Sequence, residues 1–79
     1  MNDKFLLDKE KALHILFFEQ HKISLEALGL LVILIKMNCI ITFEKWMEEF
    51  GGGWNGWSER LFKELIENDV LKRLNDGNN

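Results

Sequence analysis

The sequence predicts a mainly α domain with a minimal two-stranded sheet. Three observations lead there. Residues 24–37 form a nearly all-apolar run of helical length behind a serine. Two further segments, 43–50 and 57–68, carry apolar residues at helical spacing on either side of a glycine run. Two short stretches, 39–41 and 70–74, read as strands.

The first helix is expected over residues 24–37. Ser24 is a good N-cap, and Glu26 sits in the first turn, where the helix dipole favours a carboxylate. Apart from Glu26, Gly29 and Lys36, every residue from Leu25 to Met37 is apolar, so only a narrow wedge is left for water. A second helix follows over residues 43–50, capped by Thr42. Its buried stripe is Phe43, Trp46, Met47 and Phe50, at i, i+3, i+4 and i+7. These four, with Leu61, Phe62 and Leu65, are expected to pack on Leu28, Leu31, Val32 and Ile35. Gly51, Gly52 and Gly53 end the second helix, because three glycines cannot propagate it cheaply. The third runs over residues 57–68 and buries Leu61, Phe62, Leu65 and Ile66. The strand at 70–74 leads into the turn signal Asn75-Asp76-Gly77. Residues 8–20 read as a helix capped by Asp8 that buries Ala12, Leu13, Leu16 and Phe17. A strand over 14–19 is the competing reading, since Ile15, Phe17 and Phe18 favour one.

The chain has 79 residues, room for one domain. It divides into an N-terminal segment, 1–22, a core, 23–74, and a tail, 75–79. At 47% hydrophobic it can build a core. Thirteen acidic and ten basic residues leave a net charge of −3, whereas dedicated nucleic-acid binders are usually basic. The single cysteine, Cys39, excludes an internal disulfide and fits a reducing compartment. No uncharged run approaches the ~20 apolar residues of a membrane helix, and the charged N-terminus does not fit a signal peptide. The expectation is a cytoplasmic protein with no membrane contact.

The order helix, strand, helix, turn, helix, strand, turn is that of a winged helix-turn-helix with a truncated wing and an added N-terminal helix. The stretch ISLEALGLLVILIKMNCIITFEKWMEEFGGGWNGWSERLFKELIENDVLKRL resembles the N-terminal winged-helix domain of DnaD-like and phage replisome-organiser proteins. There a serine-led, leucine-rich helix precedes the helix-turn-helix. The resemblance implies a small phage-type regulatory or replication-accessory protein that binds DNA through its third helix and acts without catalysis. Two departures bear on that role. Asp69 stands where such sequences often have a glycine entering the wing strand. The third helix is also acidic: Arg60 and Lys63 face Glu59, Glu64, Glu67 and Asp69.

The candidate DNA contacts are Ser58, Arg60 and Lys63 on the third helix, with Lys72 and Arg73 in the strand after it. Cations meet phosphates, and arginine also reads guanine. The bland reading of the helix is a solvated face of paired charges. A protein-interaction module, an inhibitor or adaptor, is the other reading. It would use Trp54 and Trp57 of the glycine-rich loop with Glu59, Glu64 and Glu67, since tryptophan is enriched at interface hot spots. The N-terminal segment is richer in apolar residues than one helix face can bury. Phe5, Leu6, Leu13, Leu16, Phe17 and Phe18 are therefore candidates for a homodimer contact. No catalytic site, cofactor or metal is expected. His14 and His21 do not share a helix face, and no serine, histidine and acid arrangement is recognisable.

Overall fold

The computed structural model describes residues 3–50 and 55–75. Strand β1 (Asp3–Leu7) leads into helix α1 (Lys9–Phe18), a 3-10 turn (Gln20–Lys22) and helix α2 (Leu25–Lys36). Strand β2 (Ile40–Thr42) precedes helix α3 (Phe43–Phe50), helix α4 (Gly56–Glu67) and strand β3 (Leu71–Asn75). The fold is mainly α with a small antiparallel sheet.

Local cap chemistry sets where the helices begin. Asp8 accepts from the Lys11 backbone N–H at 3.1 Å, and Thr42 Oγ1 from that of Lys45 at 3.2 Å. The segment after Asp8 is therefore a helix, which decides against a strand over 14–19. Ser24 Oγ accepts from the Ala27 N–H at 3.1 Å and donates to Glu64 Oε1 at 3.1 Å; the Ser24 N–H donates to Glu64 Oε2 at 2.9 Å. A side chain of α4 thus reinforces the cap of α2. Ser24→Ala should cost about 1 kcal/mol, as lost N-caps do, readable as a lower urea midpoint with an unchanged slope.

The sheet has three strands, not two, in the order β2-β1-β3. The N-terminal strand lies in the middle. Phe5 is opposite Ile41 on one side and Arg73 on the other, and Leu7 is opposite Leu71. Beyond the ladders, the Leu7 N–H donates to Cys39 O at 2.9 Å and the Asp8 N–H to Val70 O at 2.8 Å. The partner of β3 is β1. A five-residue strand whose two partners lie far along the chain has no local signal to announce it.

The core gathers Phe5 and Leu7 from β1, Ala12 and Ile15 from α1, and Ala27, Leu30, Leu31 and Leu34 from α2. Ile41, Trp46, Leu61, Phe62, Leu65, Val70 and Leu71 complete it from the other side. The orientation of α2 differs from expectation. Leu31 is buried, but Val32 is 55% exposed and Leu28 and Ile35 are only half-buried. A helix apolar all round has no amphipathic signal to choose its inner face, so its neighbours choose it. Among the described side chains of α3, Trp46 alone is buried, while Phe43 and Met47 lie at the surface; the side chain of Phe50, expected inside, lies outside the described residues. Ile66 and Phe17, expected inside, are exposed, and Leu13 and Leu16 are half-buried.

Among the described residues, three that are not glycine adopt the left-handed conformation: Asn38, Cys39 and Asp69. The first two turn the chain from α2 into β2. Asp69, at φ 62°, turns it from α4 into β3, a conformation that aspartate tolerates better than most residues. Its carboxylate also takes a hydrogen bond from Lys11 Nζ at 2.6 Å. That hydrogen bond and the attraction behind it hold Asp69 below the usual carboxylate range and Lys11 above the usual lysine range. Both groups are at the surface, so salt screens the pair.

Candidate functional site

The sequence singles out α4, and its first turn is set by Asn55. Asn55 Oδ1 accepts from the Ser58 N–H at 3.0 Å and from Ser58 Oγ at 3.2 Å. Ser58 is 2% exposed and so is a structural residue of the helix start, not a DNA contact. The signal for this cap was in the sequence, an asparagine three residues before a serine at a helix start.

On the side of α4 that meets α2, the polar side chains are engaged with α2. Arg60 Nη2 donates to Glu26 Oε1 at 3.1 Å, and Trp57 Nε1 to Glu26 Oε2 at 3.3 Å. Glu64 is held by Ser24, as above. Among the candidate partner contacts, Trp57 and Glu64 therefore already serve the fold, although Trp57 stays 42% exposed. Glu59 and Glu67 are exposed. Trp54 lies outside the described residues.

The outer side of α4 borders a groove of about 810 Å³ between α3, α4 and the sheet. Its floor is aromatic and apolar. Phe5 meets the Phe62 ring edge-to-face at 4.8 Å, and Phe62 meets Trp46 likewise at 5.0 Å. Phe43 and Ile66 form exposed apolar walls, and Arg60, Lys63, Arg73 and Glu59 also line it. The β1–β3 register puts Arg73 on the same sheet face as Phe5, and its guanidinium carbon lies 5.7 Å from the Phe5 ring centre. Lys63 has no ion-pair partner among the described residues. Strand alternation turns Lys72, opposite Leu6, to the other face of the sheet. The fold therefore brings together Arg60, Lys63 and Arg73 and leaves Lys72 apart.

The candidate dimer contacts separate similarly. Phe5 is a core residue at 8% exposure, and Leu6, Leu13 and Leu16 are half-buried. The N-terminal segment folds back and buries much of its own apolar excess, which withdraws Phe5 as a contact. Phe17 and Phe18 remain at 70% and 74% exposure. His14 and His21 are both exposed, and no three potential metal ligands gather among the described residues. No helix among these residues is long and apolar enough to cross a membrane.

The chain is thus a small α-rich domain with a groove beside α4 that is apolar within and lined at its edge by Arg60, Lys63, Arg73 and Glu59. Compared with family profiles, with curated proteins and with solved structures, it matches none of them.

Proposed function

We propose that this chain is a winged-helix-type module that binds DNA without catalysis, as a regulatory or replication-accessory protein of a phage or similar element. The single observation that carries the reading is local charge. In a chain of net charge −3, the groove beside α4 is lined by three cations, of which Arg60 is also bonded to Glu26, and by one carboxylate. The three come from two elements, the second helix of the α3–α4 pair and the strand that follows it. That helix and strand are the parts a winged-helix module applies to DNA. The phage context rests on the resemblance alone.

The test is fluorescence anisotropy with labelled duplex DNA at several salt concentrations. With Arg60 held by Glu26, Lys63 and Arg73 supply two phosphate contacts, and the logarithm of affinity should fall against the logarithm of salt with a slope of roughly −1.8. Lys63→Glu and Arg73→Glu should each weaken binding, and truncation of Lys63 to alanine should reduce the slope by about 1. No binding at low salt overturns the proposal.

A protein-interaction module is the second reading, and the exposed walls Phe43 and Ile66 favour it. Phosphates have no use for such walls, whereas an apolar side chain of a protein partner does. A complex recovered from the host after nuclease treatment, and lost in Ile66→Lys, supports this reading over DNA binding.

A further inference from the structure

Helix α2 has a second apolar stripe, directly opposite the one it buries. Ala27, Leu30, Leu31 and Leu34 face the core at 0–2% exposure. At about 100° per residue, Leu25, Gly29, Val32 and Lys36 line up on the reverse side. Leu25 is 85% exposed, the highest value among the exposed large hydrophobic residues described, and Val32 is 55% exposed.

Gly29 sits in the middle of this stripe. A Cβ there would meet nothing within 4 Å, so packing within the chain does not require a glycine. Its backbone is ordinary helix, so no positive φ requires one either. Glycine weakens a helix interior. What it provides here is a dent in the outer surface, flanked by Val32 one turn away.

We infer that this stripe is the contact for a second copy of the chain, with two α2 helices packed antiparallel about a two-fold axis. In that arrangement Val32 of each copy enters the dent at Gly29 of the other, and Leu25 lies along the aliphatic stem of Lys36. A two-fold contact must be self-complementary in this way. Charge selects the direction. The only charged residues of α2 are Glu26 near its start and Lys36 at its end. An antiparallel pair brings Lys36 of one copy to the end of the other that holds Glu26, which keeps its bonds to Arg60 and Trp57, and sets opposite dipole ends together, whereas a parallel pair sets like against like. Lys36 has charge to offer: its bond to Glu49 is long, at 3.5 Å, and its side chain is 74% exposed. Between Glu26 and Lys36 the stripe has no charge to hold a nucleic acid.

The surface is large enough. The proposed contact takes in Phe17 and Phe18, which end α1 and are 70% and 74% exposed. Four side chains of this size and exposure present on the order of 500 Å² per chain. Two copies then bury on the order of 1,000 Å², the lower end for a specific interface. The contact is therefore concentration-dependent, and it stands whether the groove takes DNA or protein.

Sedimentation of the whole chain over a range of concentrations tests this, with circular dichroism on each sample. The mass should rise from one chain to two by the high micromolar range. Val32→Glu and Gly29→Arg should stay monomeric there with unchanged helicity, since both positions face open space within the monomer. A wild-type chain that remains monomeric at high micromolar concentration overturns the inference. So does a dimer that persists in both variants, or one that only Phe17→Ser with Phe18→Ser dissolves.

Discussion

Deleting the chain through Leu7 should abolish cooperative unfolding altogether. The effect is out of proportion to the length removed, because β1 is the middle strand. Its loss separates β2 from β3 and leaves both without a ladder partner. It also removes Phe5 and Leu7 from the core, each worth about 1.5–3 kcal/mol of burial. A domain of this size holds about 4–12 kcal/mol in total, so the remainder cannot stay folded. Urea titration followed by tryptophan fluorescence should give a shallow drift in place of a sigmoid. A sigmoid with the original midpoint would show that β1 is dispensable.

The second large effect is expected at Phe62. Its ring is 2% exposed and joins Phe5 on one side to Trp46 on the other. Phe62→Ala should cost about 3–5 kcal/mol, because the ring sits at the junction of α3, α4 and the sheet and no neighbour can fill the space alone. Phe62→Leu, which keeps most of the volume, should cost less. Equal urea midpoints for Phe62→Ala and the parent would place the aromatic cluster elsewhere.

Much of the helical framework is legible in the sequence because helix starts are written locally. Asp8, Ser24 and Thr42 each satisfy a backbone donor three residues on, and the residues involved are adjacent in the chain. Asp69 is singled out in the sequence only through a resemblance, and no local spacing announces its left-handed turn. What escapes is whatever depends on partners distant in sequence. Residues 3–7 become a strand only because β2 and β3 flank them. The inner face of α2 is decided by its packing partners, since its own sequence is apolar in every direction. The site divides along the same line. Lys63 and Arg73 are visible as cations, but their shared groove and the removal of Lys72 to the other face follow from the strand register. Ser58 looks like an available hydroxyl until Asn55 is seen to hold it.

The placement of β1 also governs the order of events in folding. Its partners in β3 lie almost a full chain length away, with Asp3 opposite Asn75 and Leu7 opposite Leu71. Closing so long a loop carries an entropic cost before any ladder bond repays it. Helices α1 and α2, joined by a short turn, face no such delay. The helical layer can therefore assemble early, and sheet closure becomes the rate-limiting event, so this chain folds more slowly than its helix content alone suggests. Until β1 arrives, β2 and β3 present unpaired edges, and that interval is when the chain is most exposed to pairing with a neighbour instead of with itself.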